Sequence, residues 1–177
     1  MDIDWHEVFE YRDGELFYKE RPREWFSRDN SYTQFNTKHA GTRADRLVKS
    51  QGYYTVRARV NGIDYRLRSH RVVWEMFNGP IPKGLVIDHI DQCRANNRIE
   101  NLRLATDSLN GMNRKAPKHN SSGTKNVAWA KREGKWRVYV YLKRKQYHGG
   151  LYSDLELAEL VAHELREKIH GEFACHD

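Results

Sequence analysis

Between residues 88 and 110 an imidazole, carboxylates and amides recur at short spacings: Asp88-His89-Ile90-Asp91, then Asn96-Asn97, Asn101 and Asn110. Side chains of these types suit the hydrolysis of a phosphodiester. That reaction needs a base to activate water, a cation to neutralise charge on the phosphate and the leaving oxygen, and a group that holds the base in place. A divalent ion bound by few protein ligands keeps positions open for phosphate and water, which is coordination of the Mg²⁺ type. Asp91, Asn96 and Asn97 read as turn-stabilising residues, through side-chain to backbone bonds. Cys93 lies in the same stretch, but the other cysteine is Cys175, and the two have no zinc spacing. Reduced thiols are the expectation.

Such a set needs ordered elements on both sides. Leu85-Val86-Ile87 predicts a short strand, residues 88–101 a polar loop, and Leu102-Arg103-Leu104-Ala105 a second strand. Thr106 is placed to cap a helix over residues 107–115, with Asp107 favourable in its first turn and Pro117 as its stop. Upstream, two β-rich runs, 53–60 and 63–68, flank Asn61-Gly62, the pair favoured in a tight hairpin turn with positive φ. Arg57, Arg59, Arg66 and Arg68 alternate along its arms. They offer a cationic face to a phosphate backbone, or equally to solvent. In the next segment Val73, Trp74 and Phe77 fit a helical stripe that ends at Asn78-Gly79-Pro80. His70, at its start, reads as a structural or capping residue. Residues 1–52 lack clear periodicity and read as an irregular lead-in, with Phe17-Tyr18 and Trp25-Phe26 as short strands or packing plugs.

Residues 117–124 are small and polar and read as a linker. The expected organisation is thus a first domain over 1–116, a linker over 117–124 and a second domain over 125–177. The second domain predicts three strands: 125–131, then 136–142 after a turn at Glu133-Gly134, then 147–152 broken by Gly149-Gly150. Ser153-Asp154-Leu155-Glu156 reads as a capping box. It opens a helix with Leu157, Val161 and Leu165 at helical spacing, stopped by Gly171. Trp136, Val138, Val140 and Leu142 should face that helix, which leaves Arg137, Tyr139, Tyr141 and Lys143 outward. Trp129 and Trp136 read as packing residues.

With 177 residues, the chain has room for one or two small domains. Five Trp and ten Tyr argue against simple disorder, although 31% of residues are charged. The net charge is +7, and it is local: residues 114–148 hold eleven Lys/Arg against Glu133 alone, whereas residues 149–177 hold two against seven acids. A basic patch interleaved with aromatics points to a polyanion partner. The N-terminal Met1-Asp2-Ile3-Asp4 is acidic and has no apolar signal-like region, and no apolar run approaches membrane length. The expected location is cytoplasmic, the host cytoplasm if the chain is phage-encoded. Neither a membrane nor an obligate protein partner is expected.

The string 88–91, 96–103 and 110, preceded by His70-Arg71-Val72-Val73-Trp74-Glu75-Met76-Phe77-Asn78-Gly79-Pro80-Ile81-Pro82, resembles the HNH, or ββα-metal, endonucleases of the homing and phage type. Twelve residues separate His89 from Asn101 and nine separate Asn101 from Asn110, spacings that match the family. The resemblance spans residues 53–115 and implies a metal-dependent enzyme that nicks or cuts double-stranded DNA. His89 then corresponds to the general base and Asn101 to the residue that fixes the loop and orients it. Asp88 and Asn110 correspond to ligands of one divalent ion, Mg²⁺ or Mn²⁺. Other members have His where Asn110 stands, and the nicking branch often has Asn.

Residues 123–158, with Gly123-Thr124-Lys125-Asn126-Val127-Ala128-Trp129 and His148-Gly149-Gly150-Leu151-Tyr152, are similar to the AP2 DNA-binding domain, a three-stranded sheet on one helix. That likeness implies base-edge contacts from Arg137, Tyr139, Tyr141 and Lys143, and phosphate contacts from Lys131, Arg132 and Arg144. Arg57 and Arg59 are added as DNA contacts of the first domain. The expected class is therefore α+β: a β-hairpin lead-in, a ββα-metal core, and a small sheet on one helix. The rival readings are a non-catalytic DNA-binding regulator on a degenerate HNH fold and, more weakly, an RNA-binding protein that uses the aromatic sheet.

Overall fold

The computed structural model describes residues 3–60, 62–113, 120 and 122–174. It is a mixed α+β chain that divides into two compact units, Met1–Leu104 and Ala105–Asp177.

In the first unit, helix α1 (Trp5–Val8) runs into a hairpin of β1 (Phe9–Arg12) and β2 (Glu15–Tyr18), turned by Asp13-Gly14, both at positive φ. A 3-10 turn at Arg23–Trp25 precedes helix α2 (Asp29–His39), and β3 (Arg46–Val48) follows. The segment read as an irregular lead-in is thus mostly ordered. Its strands are only three or four residues long and α2 buries none of its residues, so no periodicity reaches the sequence. Phe17-Tyr18 is a strand end, and Trp25-Phe26 closes the 3-10 turn.

Strands β4 (Tyr53–Val60) and β5 (Ile63–Arg68) pair antiparallel from Thr55–Arg68 to Val60–Ile63. The expected turn residue Asn61 lies outside the described residues; Gly62 has φ 77°. Val56, Ala58 and Val60 are buried and the alternate Arg57 and Arg59 are exposed, the inside–outside alternation a half-buried strand imposes. Strand β3 pairs only with Tyr53–Thr55, so among the described residues the rest of that edge of β4 has no strand beside it. There the Tyr18 hydroxyl donates to the Arg57 carbonyl at 3.0 Å and the Arg21 guanidinium to the Arg59 carbonyl at 3.2 Å. Side chains occupy the acceptors that an open sheet edge would present to another chain.

Helix α3 (Ser69–Asn78) ends at Gly79, whose φ of 76° suits glycine at a helix C-terminus. It buries Ser69, His70, Val72 and Val73 against Trp5, Val8, Phe9, Leu16, Val56 and Ile87. Phe77, expected on the buried stripe, is half exposed and sits at 5.0 Å from the Tyr11 ring. Strand β6 (Val86–His89) then pairs with β7 (Leu102–Ala105). Asp88 and His89 close a strand rather than open a loop, because Ile90 N continues the pairing by donating to Asn101 O at 2.9 Å.

In the second unit, helix α4 (Asp107–Met112) is capped as expected, the Thr106 side chain accepting from Leu109 N. Residues 114–115 of the expected helix, and 117–119 and 121 of the expected linker, lie outside the described residues, as does Cys175. The division between units falls ahead of α4, not at that linker. Strands β8 (Val127–Ala130), β9 (Lys135–Leu142) and β10 (Lys145–Tyr152) form an antiparallel sheet in the order β10-β9-β8, covered by helix α5 (Leu155–His170). Val127, Val138, Ala158 and Ala162 make its core.

Three local expectations change here. The helix N-cap is Asp154, which accepts from Leu157 N, not Ser153. Strand β10 runs through Gly149-Gly150 with a register shift instead of breaking; a Cβ at Gly149 would stand 2.6 Å from Val138 Cγ1, so only glycine lets the strand pass over the core. Trp129 is 43% exposed and meets Trp136 edge-on at 4.9 Å, so of the two only Trp136 packs on the core. The β9–β10 turn consists of Lys143 and Arg144 at φ 49° and 65°, a left-handed pair without glycine.

Candidate active site

The stretch 90–101 is held by its own polar side chains. Asp91 accepts from Cys93 N at 2.8 Å, from Asn96 Nδ2 at 2.7 Å and from Asn101 Nδ2 at 2.9 Å. Asn101 also accepts from Asp91 N at 3.0 Å through Oδ1 and donates to the Asn96 carbonyl at 2.8 Å. Asp91, Asn96 and Asn101 therefore lock the loop, as turn chemistry predicts. Burial raises the Asp91 carboxyl pKa, but the bonds from Asn96, Cys93 N and Asn101 outweigh it and hold the group below the usual range.

Next to this lock, His89 is 5% exposed and Asn97 2% exposed. His89 Nε2 lies 3.1 Å from Asn97 Oδ1. An amide oxygen only accepts, so Nε2 carries the proton and Nδ1 keeps the basic lone pair. Burial lowers the His89 pKa below its ordinary value; the Asn97 bond opposes this without reversing it. At neutral pH the ring is the neutral form that a general base requires. Its walls are His70, edge-on at 5.0 Å, and Tyr53 at 6.0 Å. His70 is buried as expected of a structural residue, and burial first, then His89, Arg68 and Arg71, pushes its pKa down to about 3.

Asp88, one residue before His89 and also 5% exposed, is held by Arg103 of β7: Nε and Nη2 both reach Oδ2 at 2.9 Å. Among the described residues no three His, Cys, Asp or Glu side chains gather to hold a metal. The Asp88 carboxylate is an oxygen donor, the type that suits a hard cation rather than a zinc-type cage. Asn110, the second predicted ligand, lies half-buried on α4 and belongs to the second unit.

The HNH resemblance has Asn101 fix the loop and orient His89. Its side chain does hold the loop, and the imidazole bonds Asn97, a residue that turn chemistry alone marks as turn-stabilising. The lead-in contributes as well. Tyr11 Oη accepts from Ile99 N at 3.1 Å, and a Cβ on Gly14 would stand 2.8 Å from Arg98 N and 3.0 Å from the Asn97 carbonyl carbon. The β1–β2 hairpin is therefore pressed against the backbone that carries Asn97. The Asp13-Gly14 pair signals a tight turn, but nothing in a local sequence says what the turn touches.

In the second unit Arg137, Tyr141, Lys143, Lys131, Arg132 and Arg144 are exposed and Tyr139 is half-buried. The Tyr139 and Tyr141 rings meet edge-on at 5.7 Å, and Arg137 pairs with Glu133 at 3.2 Å. In the first unit Arg57 and Arg59 are exposed and make no ion pair among the described residues. No helix among the described residues is long and apolar enough to cross a membrane.

The sequence model of the HNH endonuclease family matches residues 68–112. The chain is 44% identical over 109 residues to Protein 3.8 of Escherichia phage T7, covering 60% of this chain and 88% of that protein. It is 28% identical over 111 residues to an uncharacterised HNH endonuclease of Acanthamoeba polyphaga mimivirus, covering 62% of this chain and 57% of the relative. Among solved structures it resembles the HNH homing endonuclease I-HmuI, described in connection with DNA binding and cleavage, at 23% identity and a TM-score of 0.43 over 63% of this chain and 54% of the other.

Proposed function

Given that residues 68–112 match the HNH endonuclease family, we propose that the chain is a metal-dependent endonuclease that hydrolyses phosphodiester bonds in double-stranded DNA. The observation that carries this reading is the buried His89–Asn97 bond directly beside the Asp88 carboxylate. His89 takes the proton of the attacking water on Nδ1. Asn97 keeps Nε2 protonated, and Asn101 fixes the loop on which Asn97 stands. Asp88 and Asn110 would hold one Mg²⁺ or Mn²⁺, which when bound neutralises charge on the scissile phosphate and the leaving oxygen. The second unit, read as an AP2-like module, approaches DNA with Arg137, Tyr139, Tyr141 and Lys143, while Lys131, Arg132 and Arg144 meet phosphates. Arg57 and Arg59 add phosphate contacts from the first unit.

In the test, purified protein with Mg²⁺ or Mn²⁺ converts supercoiled plasmid to open circle or linear DNA. His89→Ala lowers the rate by about 10²–10⁴-fold, the range that a general base contributes, and excess chelator abolishes it. Cleavage that survives either treatment overturns the mechanism. The Arg103–Asp88 ion pair favours a second reading, in which the carboxylate is structural and the chain binds DNA without cutting it. Binding with no cleavage on any substrate selects that reading.

A further inference from the structure

Beside the edge of β4 that Tyr18 and Arg21 cap lies a cleft of about 510 Å³, within the roughly 300–1,000 Å³ of small-molecule sites. Tyr18, Phe26, Phe35 and Tyr65 give it aromatic walls, and Arg57, Arg59 and Arg66 stand along its sheet side. A second, polar cavity of about 380 Å³ shares Tyr18, Arg57 and Arg66 with the first and adds His39, Arg43 and Arg46. The two lie side by side within the first unit.

Their charge is uncompensated. Arg21 lines the cleft at only 5% exposure, with its guanidinium 4.1 Å from the centre of the Phe35 ring. Its Nη1 donates to the Arg59 carbonyl, but its Nε has no hydrogen-bond partner, and among the described residues no carboxylate pairs with it. Burying a cation without a counter-charge is costly. Arg46, Arg57, Arg59 and Arg66 also make no ion pair among the described residues. Two nearby acids are engaged, Glu15 and Asp45 both holding Arg43, and only the exposed Asp64 stands in the cleft itself. Rings that can stack a base, next to guanidinium groups that can hold its phosphates, are the two parts of a site for a single nucleic-acid strand.

We propose that this groove binds an unpaired segment of DNA, with a base against the ring cluster of Phe26 and Phe35, whose centroids lie 5.7 Å apart, and the flanking phosphates on Arg57 and Arg66. The proposal rests on DNA being the substrate and adds that the first unit grips a displaced or single strand, separately from the cleavage site.

The test uses the whole chain in chelator, so that no cleavage intervenes, and a fluorescent single-stranded 12-mer beside the same sequence as duplex. Phe35→Ala is expected to weaken single-strand binding by about tenfold, as loss of one stacked base does, and to change duplex binding by less than twofold. Arg57→Gln with Arg66→Gln, both exposed and therefore safe for folding, is expected to lower the salt slope for the single strand by about 1.4, at roughly 0.7 per phosphate contact. A 2-aminopurine in the strand should lose fluorescence on binding to the wild type and not to Phe35→Ala. Single-strand affinity unchanged in both variants, or an equal loss for duplex in Phe35→Ala, overturns the proposal. A protein that shows this pattern yet never cleaves keeps the groove and loses the nuclease reading; one that cleaves without the pattern loses the groove alone.

Discussion

The two units treat their polar side chains in opposite ways. In the first, Asp88, His89 and Asn97 are at most 5% exposed, and the loop that carries Asn97 is tied by side-chain hydrogen bonds. In the second, Arg137, Tyr141 and Lys143 stand in solvent on a sheet whose other face is closed by α5. The contrast suits the two tasks proposed for them. Bond hydrolysis gains from groups held rigidly and partly desolvated, since a misplaced base or a wrong tautomer loses rate. Contact with a polyanion gains from reach and exposed charge, which cost little to leave solvated.

The sharpest way to break this contrast is at Asn97. If rigidity of the imidazole matters, Asn97→Ala lowers kcat by about 10–100-fold with KM nearly unchanged, and Nε2–H no longer dominates in the ¹⁵N spectrum of the His89 ring. The lost bond acts in the transition state more than in binding. A rise in KM alone, with the tautomer preserved, would place Asn97 with the exposed contacts instead.

Gly14→Ala comes next. The added methyl meets the Arg98 and Asn97 backbone within 3.0 Å at a residue with φ 91°. The expected outcome is a loss of about 1–3 kcal/mol in stability, the cost of overpacking, measured by urea unfolding, with a fall in kcat. A variant as stable and active as the wild type would show that the hairpin does not support the loop.

The smallest effect is expected on the exposed sheet. Tyr141→Ala weakens duplex binding by about 5–30-fold, the lower part of the about 1–3 kcal/mol that one mismatched contact costs, and leaves cleavage under saturating DNA unchanged. A fall in that saturated rate would erase the separation of tasks between the units.

How far the sequence spoke differs between these regions as well. The strands around 53–68, the Thr106 cap and the sheet on α5 all rest on local signals: alternation, turn pairs and helix caps lie within a few residues of what they organise. The set at 88–110 was legible as chemistry because its residue types and spacings are unusual together. Asn97 was not, because an asparagine in a loop looks the same whether it closes a turn or meets an imidazole eight residues away. The N-terminal hairpin was opaque for a related reason. Its decisive contact, Tyr11 with Ile99, spans 88 residues of chain, and its four-residue strands carry too little pattern to announce themselves. The strand boundary at His89 was placed too early because pairing with β7, not composition, extends β6.

Lys143 and Arg144 turn the β9–β10 hairpin in a backbone region that an Asn-Gly pair would occupy without strain. Each residue held there costs about 1–2 kcal/mol, so the ribbon is weakest at the point where it is most positive. Replacing the pair with Asn-Gly would relieve that conformational tension and delete two positive charges in one step. Robustness of the ribbon and the polyanion contacts proposed for it thus pull on the same two positions in opposite directions.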